Sequence, residues 1–543
     1  MPLAHHIPII PQASDTLAAI FLACSQRDPG KIAVICQDEK ITYHALASLV
    51  CRWSEAMSQR GVNRGDHIGV LLPNSIELIA LMLVAADLGA VLVPLNTSLT
   101  AAAVRKAFDA TDVKHVVSTT TLLTDLPRDD FPEVAGLWLT IDEATDENNT
   151  LPNVEHLTTL LKMVRHDATL LNWGQANDAF ILTMTSGSTG DPKPIILTQR
   201  TKLNRVISAV TLYSIHATDI TLAATPLYHS LAERLVLIPL LTGGTSVLME
   251  KFSVTEWFKH IEAQAVTFTI AVSSQLKQII DYLPNVAPAV MRSLRCVVSS
   301  SALLEPELKE KLFAKLDCDF HECYGTSEIA IASNLDSITA RSKLNSVGVT
   351  APGVEILIID ANDRVVVTGQ AGEIICKTTM LFGGYYKRQE LTQAAMWGEY
   401  FRTGDIGTLD ADGFLHFLGR KKDIIVTGGI NVYPADIEAA LTEHPAILEA
   451  AAFAYPDTNL GEVVAVAIVP KDIVRFDADG ELRKLRFHCA AQLADFQQPR
   501  KFFIVETLPR NSMGKLMKFQ LVNRFSNAAS DVAIHIETKA TTA

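Results

Sequence analysis

Short apolar segments alternate with segments of helical periodicity from residue 14 to residue 300, and this pattern limits the fold more than any other feature. Strand-like runs fall at 31–36, 65–72, 90–93, 179–184, 220–224, 245–248, 267–272 and 295–299. Helical runs lie between them, at 75–88, 101–110, from 202, and at 230–240, 255–264 and 274–282. One helix shows the spacing clearly, with Leu46, Leu49, Val50, Trp53 and Met57 on one face. Strands separated by helices pair in parallel, and both faces of such a sheet need a cover. The expected core is therefore a parallel α/β sheet between helices. A chain of 543 residues exceeds one core, so two to four domains are expected.

The texture changes at 348–418, where short Val/Ile-rich segments separated by Gly, Asp and Asn read as antiparallel β-structure. A charged break at 419–423 precedes a compact α+β piece: a helix at 434–443, strands at 448–454 and 462–469, a helix at 481–493 and a strand at 501–505. The expected domains are 1–421 and 422–525, with a disordered tail at 526–543. Residues 144–176 read as a surface connection. The longest apolar stretch, 78–95, holds Asp87, Gly89 and Pro94, so it reads as a buried helix and a strand rather than a membrane span. Residues 1–12 lack the basic start of a secretory signal. The net charge of −13 argues against a nucleic-acid or anionic-membrane binder. The eight cysteines form no C-x-x-C pair, which fits reduced thiols and a cytoplasmic location.

The chemistry concentrates first at Thr185, Ser186, Gly187, Ser188, Thr189, Gly190, Asp191, Pro192 and Lys193, directly after the strand-like run 179–184. Glycines let the backbone approach a ligand, consecutive N–H groups make an anion nest, and hydroxyls with one lysine add donors. The set suits the phosphates of a nucleotide, although no Gly-Lys-Ser/Thr triplet closes it. A flexible Gly/Ser linker is the competing reading of this run taken alone.

Four further strings follow in order: Pro226-Leu227-Tyr228-His229, Tyr324-Gly325-Thr326-Ser327-Glu328, Tyr400-Phe401-Arg402-Thr403-Gly404-Asp405, and Pro509-Arg510-Asn511-Ser512-Met513-Gly514-Lys515. With the 185–193 run, this ordered set resembles the adenylate-forming superfamily, which holds acyl- and aryl-CoA synthetases, peptide-synthetase adenylation domains and luciferase. The resemblance implies a large N-terminal domain of layered αβα sheets with a β-barrel-like subdomain, and a small, mobile α+β C-terminal domain. It assigns 185–193 to phosphate binding and Ser300, Ser301 and Ala302 to adenine contact, with serines where relatives carry glycine. Tyr324 would stack on adenine. Gly325, Thr326 and Ser327 would continue the nucleotide site, and Glu328 would hold Mg²⁺. Asp405 and Arg420 would reach the ribose. His229 would flank the acyl pocket, Lys422 would be a hinge, and Gly428 and Gly429 would line a pantetheine channel. Lys515 would bridge the substrate carboxylate and the α-phosphate. Pro194, where relatives carry glycine, has no explanation in the sequence.

The implied reaction is activation of a carboxylic acid by ATP to an acyl adenylate, with release of pyrophosphate, then transfer to the thiol of coenzyme A. A carrier-protein phosphopantetheine, on an acyl carrier protein, is the alternative acceptor. A luciferase-type oxygenase and a catalytically dead nucleotide-binding scaffold are the rival readings. Retention of Glu328, Asp405, Arg420 and Lys515 argues against the scaffold. Tyr228-His229 does not supply the aspartate an α-amino acid would need. Glu233 and Arg234 read as a solvated helix face, with contact to a polar or doubly acidic substrate as the alternative. The expected partners are the acid, ATP and CoA, in a monomer or homodimer. The acid itself is not legible.

Overall fold

The computed structural model describes residues 16–126, 128–142, 151, 153–186, 192–511, 514–526 and 532–535. The expected loop residues Gly187, Ser188, Thr189, Gly190 and Asp191, the start at 1–12, and Ser512 and Met513 lie outside them, as does most of the 526–543 tail. By compactness the described chain divides into two units. The first comprises Met1–Leu344, Gly348–Glu355 and Cys376–Phe401; the second comprises Asn345–Val347, Ile356–Ile375 and Arg402–Ala543.

The first unit contains two sheets. A nine-stranded sheet runs in the order Val349–Thr350, Ser333–Asp336, Asp319–Tyr324, Cys296–Ser300, Phe268–Val272, Ile220–Ala223, Thr245–Leu248, Ile32–Cys36, Glu39–Thr42. Its six central strands are parallel, and antiparallel pairs close both edges. A seven-stranded sheet runs Glu155–His156, Trp138–Thr140, His115–Ser118, His67–Leu71, Val91–Pro94, Ala179–Ser186, Pro192–Thr198, parallel except for its last pair. The alternation of strand and helix thus produced the expected parallel sheets, but split over two. Three short strands, His115–Ser118, Trp138–Thr140 and Glu155–His156, carry too little periodicity to be read in advance.

Helix starts follow local side-chain chemistry. Thr42, Ser75, Thr100 and Thr198 each accept a hydrogen bond from a backbone N–H of the first turn they cap. The apolar stretch beginning at 78 is the buried helix Ile76–Leu88, followed by the strand Val91–Pro94. Gly89 ends that helix at φ +66°, and a Cβ there would sit 2.9 Å from an Asp178 carboxylate oxygen. No described helix is long and apolar enough to cross a membrane.

The region of short Val/Ile segments forms a five-stranded sheet containing Val354–Ile359, Gly372–Thr378, Met396–Trp397, Tyr400–Leu409 and Leu415–Arg420. The charged break is the end of the last of these strands plus one 3₁₀ turn, Lys421–Asp423. The second unit continues into a six-stranded sheet whose long pair, Ile447–Asp457 and Gly461–Pro470, is antiparallel. Lys501–Val505 lies parallel beside Gly461–Pro470. Against the expected disorder of the tail, Val532–His535 adds a further parallel strand, pairing Phe502 with Val532 and Val505 with His535.

Candidate nucleotide and acyl sites

Both described ends of the 185–193 run lie on paired strands. Ala179–Ser186 pairs antiparallel with Pro192–Thr198, with Thr185 opposite Lys193 and Met184 opposite Pro194. Pro192–Thr198 is the edge strand of its sheet. Ile196 donates its N–H away from the hairpin, to the Gly384 carbonyl at 2.9 Å. Pro194 shares that outward orientation, so its missing N–H removes no ladder bond. Its carbonyl accepts from the Tyr386 N–H at 2.9 Å. The residue that had no explanation in the sequence is therefore an ordinary edge-strand proline.

Cys296–Ser300 ends in the residues assigned to adenine contact. Ser301 sits at φ +82°, a conformation glycine adopts freely and serine rarely. The backbone there takes a shape that glycine supplies freely, at the cost of local strain for serine. Ser273 Oγ donates to the Ala302 carbonyl at 2.6 Å and secures the far side of the turn.

Strand Asp319–Tyr324 delivers the next turn. Gly325 is obligatory there, because a Cβ would lie 2.1 Å from the Ala330 carbonyl oxygen. Ala330 N–H donates to Thr326 O, and Ala332 N–H to Tyr324 O, which close the turn and leave Tyr324 and Glu328 half-buried. Tyr385 donates its hydroxyl to Glu328 Oε1 at 3.0 Å. Arg205, fully buried, donates to the carbonyls of Ser327 (2.9 Å), Glu328 (3.0 Å) and Met380 (3.1 Å). Neither Tyr385 nor Arg205 belongs to a recognisable motif. Arg205 shares a helix face with Lys202, three residues away, a spacing that carries no functional signal by itself.

His229 sits at the N-cap position of helix Ser230–Thr242. Asn74 fixes the turn before it: its amide donates to Thr225 O (3.0 Å) and Met249 O (2.8 Å), and its oxygen accepts from Leu227 N–H (2.8 Å). Burial pushes the His229 imidazole down to about 4, so the ring is neutral at pH 7. Glu233 and Arg234 are not on a solvated face. Glu233 is 0% and Arg234 5% exposed, and Glu233 forms a buried ion pair with Lys202, itself 1% exposed. Helix Ser230–Thr242 is buried on nearly every side, with Arg27 and Tyr43 also reaching its C-terminal end, so no face was left for water.

In the second unit, Asp405 is 1% exposed and lies directly opposite Arg420 in the pair Tyr400–Leu409 and Leu415–Arg420. Arg420 Nε is 2.9 Å from Asp405 Oδ1. Lys515 stands on a loop closed by an Arg510–Leu516 bridge. Asn511 N–H donates to Lys515 O, and Lys515 N–H to Asn511 Oδ1, both at 2.9 Å. Gly514 supplies φ +73° beside it. The Lys515 side chain keeps exposed surface, yet crowding by protein, then the charges of Arg420 and Lys422 against Asp405 and Asp423, hold its pKa down to about 8. The structure thus gathers Lys515, Asp405, Arg420 and Lys422 within electrostatic reach. Lys422 is exposed on the turn Lys421–Asp423. Gly428 and Gly429, at φ +56° and +83°, form the exposed two-residue turn of the hairpin Ile425–Thr427 and Ile430–Val432.

Parallel sheets that end in a Tyr-Gly-x-Ser-Glu turn, with an α+β piece that ends in a Gly-Lys loop, define an adenylate-forming enzyme. The chain belongs to the AMP-binding enzyme family: that family's model matches residues 21–386, and the model of the AMP-binding enzyme C-terminal domain matches 436–515. A sulfoacetate–CoA ligase of Cupriavidus necator is 28% identical over 94% of this chain and 98% of its own length. Among solved structures, ATP-bound MatB of Rhodopseudomonas palustris superposes with a TM-score of 0.84 at 25% identity, over 94% of this chain and 99% of that one. The o-succinylbenzoate CoA synthetase MenE of Bacillus subtilis has been solved with its acyl-adenylate intermediate (TM-score 0.79, 26% identity, 94% and 98% covered) and with ATP and a magnesium ion (TM-score 0.80, 26% identity, 94% and 99% covered).

Proposed function

We propose that this chain is an AMP-forming acid–thiol ligase that condenses a carboxylic acid with ATP and passes the acyl group to coenzyme A. The observation that carries this reading is Lys515, an exposed ammonium on a closed loop within the field of the Asp405–Arg420 pair. Relatives named as CoA ligases support the thiol acceptor.

The carboxylate is already ionised at neutral pH and needs no base. Its oxygen attacks the α-phosphorus, the bond to the β-phosphate breaks, and pyrophosphate leaves. The barrier is repulsion between anions, so the chain's part is placement and positive charge. Lys515 neutralises the carboxylate and α-phosphate as they meet. The 185–193 run, with Lys193, holds the departing phosphates. Tyr324 and the 300–302 turn hold adenine, and Asp405 accepts from the ribose hydroxyls. Glu328 suits a hard cation, since a half-buried carboxylate beside substrate phosphates is the oxygen donor Mg²⁺ takes. When bound there, Mg²⁺ supplies charge neutralisation on the phosphate oxygens. In the second step the thiol attacks the acyl carbon and AMP departs. Neutral His229 offers a polar wall to the acyl pocket without adding charge. The segment after Lys422 turns between the steps and brings the Gly428–Gly429 turn to the pantetheine arm.

Acid-dependent ATP–pyrophosphate exchange, with acyl-CoA formation when CoA is added, tests the reading; exchange with no acid of a broad panel would overturn it. Asp405→Asn should raise the KM for ATP by about 10- to 100-fold with little change in the KM for the acid, because a charged acceptor for two hydroxyls is lost. Equal effects on both KM values would remove Asp405 from the ribose.

A further inference from the structure

The segment 382–386 joins two elements that are distant in the chain and both assigned to the phosphates. On one side it pairs with strand Pro192–Thr198, which leaves the 185–193 run. Gly383 N–H donates to the Ile196 carbonyl at 2.7 Å, Ile196 N–H to the Gly384 carbonyl at 2.9 Å, and Tyr386 N–H to the Pro194 carbonyl at 2.9 Å. Ile195 and Tyr385 form an antiparallel bridge within this pairing. On the other side Phe382 N–H donates to the Glu328 carbonyl at 2.8 Å, and the Tyr385 hydroxyl donates to Glu328 Oε1 at 3.0 Å. One segment therefore holds Glu328 by both its backbone and its side chain. The segment is itself anchored. Tyr385 N–H donates to Thr392 Oγ1 at 2.9 Å, and Tyr386 donates its hydroxyl to Asp112 Oδ2 at 2.7 Å. The Tyr385 ring packs edge-on against Phe382, with centroids 4.9 Å apart. The hydroxyl thus meets Glu328 from a fixed ring.

A carboxylate serves a hard cation best when its orientation is set before the cation arrives, and the outer hydrogen-bond partner that sets it governs affinity. A phenol suits this task. It stays protonated at neutral pH, so it donates without cancelling the carboxylate charge, and a carboxylate that accepts at one oxygen keeps acceptor capacity at the other. We propose that Tyr385 is a positioning residue: its hydroxyl holds the Glu328 carboxylate in the orientation that takes the Mg²⁺ carried by ATP. The pairing of 382–386 with Pro192–Thr198 sets where that carboxylate stands relative to the strand that leaves the phosphate run. This inference rests on the adenylation reading above and adds to it a residue that acts only through Glu328.

The test is Mn²⁺ binding to the full-length protein saturated with α,β-methylene-ATP, read by electron paramagnetic resonance. It compares wild type, Tyr385→Phe, Glu328→Gln and the double variant. Phenylalanine keeps the ring packing and removes only the hydroxyl. Tyr385→Phe should raise the Mn²⁺ dissociation constant by about 10-fold. In the Glu328→Gln background the same substitution should change nothing further, because the charged ligand it orients is gone. In exchange assays Tyr385→Phe should raise the Mg²⁺ concentration for half-maximal rate by the same factor and leave the KM of the acid unchanged. Thioester formation from supplied acyl adenylate should persist, which a general loss of fold would not allow. Unchanged Mn²⁺ binding in Tyr385→Phe would overturn the inference while adenylation stands. So would an equal loss in both backgrounds, or an equal loss of both half-reactions. Mn²⁺ binding indifferent to Glu328→Gln would remove Glu328 from the cation and this inference with it. Exchange with no acid at all would overturn the adenylation reading itself.

Discussion

Lys515→Ala should lower acid-dependent ATP–pyrophosphate exchange by about 10³-fold, while thioester formation from supplied acyl adenylate and CoA persists. The carboxylate and the triphosphate are both anions, and the removed ammonium is the charge that lets them meet. Once the adenylate exists, that repulsion is gone, so the second step does not need Lys515. Equal loss of both half-reactions would refute this division of labour. The pH dependence gives an independent check. Only the protonated ammonium is useful, and the free protein holds Lys515 down to about 8. The kcat/KM for adenylation should therefore fall as pH rises through that value, while the half-reaction from supplied adenylate does not follow it. Bound ATP adds negative charge beside the ammonium, so the fall in kcat should appear at higher pH than the fall in kcat/KM.

Glu233→Leu should destabilise the fold by about 3–5 kcal/mol, read from urea unfolding followed by tryptophan fluorescence. Removing one partner of a buried ion pair leaves the other as an uncompensated charge in low dielectric. Here the consequence is larger than one lysine, because Arg205 and Arg234 are also sealed nearby. Both cations push the Lys202 pKa down, to about 8, with burial as the leading cause. Asp167→Asn is the matched control. Its partner Arg165 is 77% exposed and Asp167 itself 70%, so water already screens that pair and no measurable change is expected. Similar effects from the two substitutions would show that the Lys202–Glu233 pair is not sealed from water.

Much of the first unit was legible because its signals are local. A run of Val, Ile and Leu between helical patterns has few ways to pair, and the capping residues Thr42, Ser75, Thr100 and Thr198 mark where helices begin. The strands Trp138–Thr140 and Glu155–His156 were not legible, since two or three residues show no period. Candidate site residues can be proposed from the sequence where their chemistry needs a short contiguous string. Gly325 illustrates this: the turn admits no Cβ, so the residue type follows from the backbone alone. Asn74 and Arg205 act on residues more than a hundred positions away and Tyr385 reaches Glu328 across 57, so no contiguous string marks any of them. Ser301 was the converse case. The sequence offers a serine there, yet the backbone at φ +82° lies in the region that favours glycine.

By itself, the sequence determined the parallel α/β body, the later antiparallel and α+β pieces, and the ordered nucleotide motifs. These follow from periodicity, from glycine's freedom and from contiguous donors and acceptors, all properties that act within a few residues. Only the tertiary structure decided the environment of each charge. Helical position alone read Glu233 and Arg234 as a solvated face; the packing of Ser230–Thr242 against Gln199–Leu212 excluded water from both. In the same way, Asp405, Arg420 and Lys515 are distant in the chain, and their mutual field exists only once the strands pair. Burial and long-range electrostatics are set by residues from elsewhere in the chain, so no local pattern can announce them.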